Sequence, residues 1–190
     1  RRKRATFSDF AACAERLLAG TGSNEGLGWT RPGRLAGFGA SAGGLILGHA
    51  ANARPDLFRT LIARVPFLDV IGNMTDPSLP LTAHEVDEWG NPADTEALEY
   101  MQSYCPYTNA ASHEYPWIFI STSLNDARVQ CSDSFKWKSR IQSLNTDNQN
   151  KIFIHTREEG GHMGAANDSD HFVDVAQEIA FLYKTMDLPM

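Results

Sequence analysis

The chain has 190 residues, of which 42% are hydrophobic and 21% charged, and its formal net charge at pH 7 is −6. This composition is ordinary for a soluble globular protein, and the length suffices for one domain with a sizeable core. The negative charge argues against a general attraction to nucleic acid or to an anionic membrane, and no apolar run approaches the roughly 20 residues of a membrane helix.

The chain opens on a basic tetrad, Arg1, Arg2, Lys3 and Arg4, rather than on a methionine. Such a tetrad is compatible with a nuclear signal or a nucleic-acid-binding arm, but a solvated loop ahead of the first helix is the simpler interpretation. We expect the chain to be the C-terminal piece of a longer protein.

Hydrophobic spacing predicts helices and strands that alternate along the chain. Apolar residues recur at helical intervals in 7–18, and Gly20 and Gly22 follow as stop signals. The segment 69–112 is irregular and rich in proline, apart from one predicted helix. The remaining elements are predicted in this order: strand 34–38, helix 45–53, strand 60–65, helix 94–104, strand 117–122, helix 135–144, strand 151–156 and helix 172–184. This alternation predicts an α/β fold, a mostly parallel sheet with helices on both faces.

The strongest local motif is Gly39-Ala40-Ser41-Ala42-Gly43, a G-x-S-x-G match between a predicted strand and a predicted helix. This context is typical of a nucleophile elbow in the α/β-hydrolase fold. We expect a side chain at residue 39 or 43 to collide with neighbouring backbone. The N–H of Ala42 begins the helix and is a natural donor to an oxyanion. A glycine- and serine-rich loop without chemistry is the alternative.

A serine hydroxyl needs an imidazole base, and the base needs an acceptor that holds its tautomer. In this fold the acid and then the base follow the serine in chain order. Asp126 follows strand 117–122, and His162 follows the last strand with two glycines just before it. We therefore predict a triad of Ser41, Asp126 and His162.

Other histidines and acids occupy less suitable positions. His171 is the best rival to His162, but it begins the final helix. The remaining candidates lie on the helix after the elbow, in the irregular segment, inside a strand, or on or near a helix: His49, His84, His113, His155 and Asp133. For each of Asp126 and His162 considered alone, the alternative is a residue without function in a surface loop.

Several motifs together resemble the catalytic domain of the prolyl oligopeptidase family of serine peptidases, and most of all its oligopeptidase B group. Glu-Trp-Gly-Asn-Pro placed after Pro-Leu-Thr is far more specific than the elbow motif. The resemblance covers almost the entire chain and rests on segments 6–15, 37–44, 65–70, 80–82, 88–92, 125–129 and 160–162.

The resemblance implies peptide cleavage after Lys or Arg, with no metal or cofactor. It implies that Glu85 and Asp87 receive the substrate's cation, where a desolvated charge needs a paired acid. It also implies that Arg128 binds a substrate carbonyl. If the resemblance is set aside, the simplest interpretation of 84–88 is an acidic loop, and that of Arg128 is a surface cation. Some relatives are expected to carry Glu where this chain has Asp87. Because the Asp side chain is shorter, the resemblance does not specify which group Asp87 contacts.

The family further implies an N-terminal β-propeller, a tyrosine as second oxyanion donor, and several more sheet strands, all expected before Arg1. An isolated piece could then expose sheet edges and be inactive, so a non-catalytic interaction module is an alternative. Another esterase or a dipeptidyl- or acylaminoacyl-peptidase is a second alternative, which the acidic loop disfavours.

Three cysteines, Cys13, Cys105 and Cys131, lie far apart in the chain. They form no CxxC or Cys/His pair, which argues against a disulfide framework or a zinc site. A reducing compartment, and therefore the cytoplasm, is expected.

Overall fold

The computed structural model describes residues 3–20, 28–79, 82, 84–145 and 151–188. Seven helices and four strands are assigned within these residues. In chain order they are α1 (Lys3–Ala19), β1 (Ala36–Ala40), α2 (Ala42–Ala53), β2 (Thr60–Arg64), α3 (Val70–Thr75), α4 (Val86–Trp89), α5 (Thr95–Gln102), β3 (Trp117–Ser123), α6 (Ser132–Leu144), β4 (Ile152–Arg157) and α7 (Asp168–Thr185).

The four strands form one parallel sheet in the order β1-β2-β3-β4. Parallel neighbours need a crossover connection, and the helices between successive strands supply it. All four carboxyl ends therefore lie at the same edge of the sheet. The loops that carry Ser41, Asp126 and His162 leave from this edge.

One face of the sheet carries the main hydrophobic core. Every second residue of the inner strands, such as Leu61, Ala63, Ile118 and Ile120, is buried on this face. These side chains pack in one cluster with Leu47 of α2 and with residues of α1 and α6, among them Ala14, Trp137 and Ile141. Alternate side chains of each strand point to this face, and the helices turn their apolar faces toward it, which together produce the core layer.

Helix α7 covers the opposite face. The ring of Phe181 packs on Phe119 of β3 at 5.4 Å between centroids. Thr185 shares a hydrogen bond of 2.7 Å with Thr60. Helices on both faces of a parallel sheet are the predicted α/β architecture, which is confirmed.

The observed bounds of the helices differ most from the predicted bounds where a helix begins on polar or small residues. Helix α2 begins at Ala42 rather than at 45, because Gly43 and Gly44 give no apolar signal in its first turn. Helices α6 and α7 likewise begin three and four residues before the predicted 135 and 172. Asn167 caps α7 by accepting a hydrogen bond from the N–H of Asp170 at 3.0 Å.

The basic start of the chain is partly helical, so the predicted loop is wrong for Lys3 and Arg4. Both residues lie in α1, where Lys3 pairs with Glu88 and the backbone N–H of Arg4 donates to Tyr100 at 3.0 Å. These contacts hold the first turn in place. Arg1, Arg2 and the predicted stop at Gly22 lie outside the described residues.

The segment predicted to be irregular contains two further short helices, α3 and α4. Asp69 caps α3 by accepting from the N–H of Gly72 at 3.0 Å. A helix of four to six residues spans too few turns to show apolar periodicity, which is why neither was predicted. In the part of the chain that the structure describes, no helix is both long and apolar enough to cross a membrane.

Candidate active site

Ser41 occupies the sharp corner between β1 and α2. Its φ of 53° and ψ of −119° are unusual for a residue with a side chain, and such conformations cost about 1–3 kcal/mol. The corner is held by backbone hydrogen bonds. The N–H of Ser41 donates to the carbonyl of Arg64 at 2.9 Å, and its carbonyl accepts from Gly44 and Phe67 at 2.9 and 3.1 Å. The strained corner lifts the hydroxyl above the sheet edge.

Two glycines are required by close approaches at this corner. A Cβ on Gly39 would lie 2.5 Å from the carbonyl oxygen of Gly43, and one on Gly44 would lie 2.3 Å from the Cβ of Pro66. A Cβ on Gly43 would meet nothing within 4 Å outside its own helix. The predicted collision is therefore found at residue 39 but is wrong for 43. The second tight approach is at Gly44, one position later, because that residue faces the chain leaving β2.

Asp126 lies in the loop after β3, and its side chain is fully buried. Its Oδ1 accepts from the backbone N–H groups of Arg128 and Val129 at 2.8 and 2.9 Å. These two donors fix the carboxylate and leave Oδ2 free to face the next loop. That oxygen lies 2.8 Å from Nδ1 of His162.

His162 stands in a tight hairpin after β4. Gly161 and Gly164 exchange two backbone hydrogen bonds of 3.1 Å, and Gly160 adopts a φ of 87°. A Cβ on Gly160 would lie 2.3 Å from the carbonyl oxygen of Gly164, so the turn requires glycine there. The Nε2 of His162 lies 3.0 Å from Oγ of Ser41. The structure thus brings Ser41, His162 and Asp126 into one hydrogen-bonded chain.

The rival residues lie elsewhere. On α2, His49 stacks on Phe7 at 4.3 Å, and burial lowers its pKa. His113 stacks on Tyr115 at 4.1 Å. His155 lies on β4 within 3.7 Å of Asp174. His84 is exposed, two residues before α4 in the irregular segment.

Asp133 lies in the first turn of α6 and is 1% exposed. It accepts from the N–H of Asp69 at 3.1 Å and from the amide of Asn73 at 2.8 Å. Burial raises its pKa to about 6. Its hydrogen bonds tie α6 to the start of α3, and none of them reaches the triad.

A cavity of about 380 Å³ lies beside Ser41 and His162. Basic side chains line much of it, and three of them are Arg64, Arg128 and Arg157. His171 also lines the cavity from α7, but the structure gives it no contact with Ser41. One acid, Asp174, lines the cavity as well.

Two ion pairs with α7 neutralise part of this charge. Glu178 accepts two hydrogen bonds of 2.6 Å from Arg64, and these hold the pKa of the guanidinium above its usual value. Arg157 donates to Asp174 at 2.6 Å, with both side chains less than a tenth exposed. Sequence reasoning missed both pairs. The sequence signal that could have indicated them is a pair of acids, Asp174 and Glu178, four residues apart on one buried face of α7.

The acidic segment is connected to the elbow through aromatic packing. Glu85 directly precedes α4, and its side chain makes no capping hydrogen bond there. Its carboxylate instead accepts from the indole N–H of Trp89 at 2.9 Å. Trp89 is buried against Phe67 at 5.2 Å between ring centroids. The N–H of Phe67 in turn donates to the carbonyl of Ser41. A continuous set of contacts therefore links Glu85 to the backbone of Ser41.

Asp87 is exposed and lines a different cavity, of about 500 Å³. The ammonium of Lys3 lies in the same cavity, 4.0 Å from the centre of a Trp89 ring, and pairs with Glu88. Neither Asp87 nor Glu85 lines the cavity beside Ser41. Arg128 does line that cavity, with an exposed side chain. Pro80 and Leu81 of the Pro-Leu-Thr motif lie outside the described residues.

Metal-ligating side chains and cysteines lie scattered in the part of the chain that the structure describes. No group of three or more His, Cys, Asp or Glu side chains there could hold a metal ion. The cysteines are unpaired: Cys13 is exposed, Cys105 is buried and Cys131 is half-buried.

Comparison with known proteins agrees with this geometry. The model of the prolyl oligopeptidase family matches residues 1–188. Protease 2 of Moraxella lacunata is 39% identical over 180 residues, which are 95% of this chain and 25% of the relative. Dipeptidyl aminopeptidase BI of Pseudoxanthomonas mexicana is 35% identical over 177 residues, which are 93% of this chain and 23% of the relative.

Solved structures show the same similarity. Oligopeptidase B from Leishmania major superposes with a TM-score of 0.89 at 41% identity, over 98% of this chain and 25% of that one. Oligopeptidase B from Trypanosoma brucei, with covalently bound antipain, gives a TM-score of 0.90 at 40% identity, over 99% and 25%. The chain therefore spans about a quarter of the length of these relatives.

Proposed function

The chain belongs to the prolyl oligopeptidase family, and on that basis we propose that it carries the catalytic residues of a serine peptidase that hydrolyses short peptides after Lys or Arg. The carrying observation is the chain of contacts from Ser41 Oγ to His162 at 3.0 Å and from His162 to Asp126 at 2.8 Å. These are the distances at which a base can take the hydroxyl proton and an acid can hold the base.

In the proposed reaction, Ser41 Oγ attacks the carbonyl carbon of the scissile bond while its proton passes to Nε2 of His162. Asp126 holds the imidazolium through Nδ1. The N–H of Ala42, at the start of α2, stabilises the oxyanion. His162 then gives the proton to the departing amine, and the C–N bond breaks. A water, deprotonated by His162, hydrolyses the acyl-enzyme and restores the serine.

Specificity for a basic side chain rests on Glu85. Its carboxylate is half-buried and already oriented by Trp89, and such a partly desolvated acid favours a cation. We propose Asp87 as a second acid on the family resemblance, and give it the lesser role because it lines a cavity separate from the one beside Ser41. Arg128 is proposed to bind a substrate carbonyl, since it follows Asp126 by two residues and lines the cavity beside Ser41.

The relatives are about four times as long as this chain, so the activity of a whole protein is part of the proposal. We propose that an N-terminal propeller limits substrates to short peptides, as the family resemblance implies. We also propose a cytoplasmic location, because the three cysteines are unpaired.

Paired amide substrates test this function. The protein should hydrolyse an N-acylated Arg-amide much faster than the matching Leu-amide, and Ser41→Ala should abolish both activities. Glu85→Gln should reduce the preference for Arg while leaving Leu hydrolysis unchanged. Equal rates on the two substrates would reject the specificity, and activity in Ser41→Ala would reject the mechanism.

A second candidate is a dipeptidyl aminopeptidase, which the 35% identity to the Pseudoxanthomonas enzyme favours. Such an enzyme needs a free amino group on its substrate. A dipeptidyl amide and its N-acetylated form distinguish the two functions. With a dipeptidyl amide that ends in Arg, cleavage of the free form alone would favour the aminopeptidase. Cleavage of the N-acetylated form as well would favour the endopeptidase.

A further inference from the structure

Asn125 connects the loop that carries Asp126 to the loop that carries His162. Its side-chain amide donates a hydrogen bond of 2.7 Å to the backbone carbonyl of Glu158. Asn125 directly precedes Asp126 in the chain, and Glu158 lies four residues before His162. One side chain therefore spans the two segments whose relative placement decides whether acid and base meet.

Besides the hydrogen bonds of the His162 ring to Asp126 and Ser41, the His162 loop is held by backbone hydrogen bonds of two kinds. The backbone N–H of Leu124 donates to the carbonyl of Arg157 at 3.0 Å, which only continues the ladder between β3 and β4. The hydrogen bonds between Gly161 and Gly164 are internal to the hairpin. They fix the hairpin's shape but not its position above the nucleophile.

We propose that Asn125 is a positioning residue, whose amide holds the backbone at Glu158 so that His162 stays within reach of Ser41 and Asp126 at once. The proposal rests on the proposed function, because it assigns a role in proton transfer from Ser41. A single neutral hydrogen bond of this kind corresponds to a rate effect of about 3- to 10-fold. Asn125 is not among the residues that line the cavity beside Ser41, so we expect its loss to affect the chemical step and not substrate binding.

The test is the reaction of Ser41 with a fluorophosphonate, measured as the maximal labelling rate and the half-saturating concentration. Asn125→Asp keeps the shape of the side chain but removes its N–H donors, and Asn125→Ala removes the group. Both should lower the maximal rate about 3- to 10-fold. The half-saturating concentration and the melting temperature should stay the same. Asn125→Gln, which still carries an amide donor, should recover part of the rate.

Asn109→Ala is the matched control, since the Asn109 amide also donates to backbone carbonyls, those of Gln102 and Cys105, far along the chain from the triad. It should label at the wild-type rate. Wild-type labelling in both Asn125 variants would overturn the positioning role and leave the function standing. A slow rate with a much lower melting temperature, not recovered by Asn125→Gln, would also overturn it. If wild-type Ser41 were not labelled at all, the proposed function would fail first.

Discussion

The Nε2 of His162 lies 3.0 Å from Oγ of Ser41, although 121 positions separate the two residues in the chain. The parallel sheet explains this contact, because the loops after β1 and β4 both leave from the carboxyl edge. The strained corner raises the hydroxyl, and the glycine hairpin brings the ring to it. The chemistry we propose depends on this contact more than on any other in the molecule.

The tight approaches at the elbow predict which glycines tolerate alanine. Gly39→Ala and Gly44→Ala should each lower the free energy of unfolding by about 1–3 kcal/mol, because each new Cβ would overlap a neighbour that cannot move freely. Gly43→Ala is the control: it meets open space inside a helix and should be neutral or stabilise by up to about 1 kcal/mol. Urea unfolding of the three variants measures this. An equal loss at Gly43 would contradict the geometry.

The hydrogen bond from Trp89 to Glu85 predicts an effect on substrate choice. Trp89→Phe keeps an aromatic ring against Phe67 but removes the donor, so the carboxylate is less well oriented. The ratio of kcat/KM for Arg-amide over Leu-amide should fall about 3- to 10-fold.

Trp137→Phe is the matched control for Trp89→Phe. Trp137 is a buried tryptophan whose indole N–H has no hydrogen-bond partner in the described part of the chain. Its replacement should affect stability and leave the substrate ratio unchanged. A substrate ratio that stays at the wild-type value in Trp89→Phe would show that the indole does not orient Glu85.

The buried carboxyl of Asp133 predicts a dependence of stability on pH. Burial raises its pKa from 3.8 to about 6, although hydrogen bonds from Asn73 and Asp69 and the nearby charge of Lys136 act against the rise. Between about pH 4 and pH 6 the folded protein retains a proton that the unfolded chain loses. Stability contributed by this group should therefore fall as the pH rises through that window, by about 3 kcal/mol in all.

The measurement is the free energy of unfolding at several pH values, compared with that of Asp133→Asn. Other carboxyl groups titrate in both proteins, so the difference between the two curves isolates Asp133. This difference should shift in favour of the variant up to about pH 6 and be constant above it. Asp9→Asn, at an exposed position on α1, is the control for removing a carboxyl group that is not buried. Parallel curves for wild type and Asp133→Asn would contradict the assignment.

The pair of Arg157 and Asp174 predicts strong coupling between two buried charges. Arg157→Leu leaves the Asp174 carboxylate without its main partner and should cost about 3–5 kcal/mol of stability. The double variant with Asp174→Leu should recover most of this loss, since both charges are then removed. A double-mutant cycle measures the coupling. Additive losses would mean that the two groups act independently.

Much of the architecture was predictable because it follows from local patterns. The apolar runs of the four strands and the amphipathic faces of the helices predicted the parallel α/β sheet. The order Ser, Asp, His along those strands placed all three side chains at one edge. The elbow motif lay between a strand and a helix, as predicted, because its glycines and its flanking elements are adjacent in the chain.

The parts that were missed depend on contacts between distant segments. Nothing near Gly44 in the chain shows that Pro66 will pack on it, and the isolation of Asp87 from the nucleophile follows from where α4 packs. The pairing of Arg157 with Asp174 needs the register of α7 on the sheet. The spacing of Asp174 and Glu178 marks two acids on one face of α7, but no local pattern in the sequence identifies the residues that such segments will meet.

The rate at which a fluorophosphonate labels Ser41 tests proton transfer to His162 most directly. The glutamine in His162→Gln cannot take the proton, so Ser41 should be labelled about 10²- to 10⁴-fold more slowly than in the wild type. His171→Gln, in the same cavity but without a contact to Ser41, should label at the wild-type rate. Rapid labelling of Ser41 in His162→Gln, or slow labelling in His171→Gln, would contradict the assignment of the base.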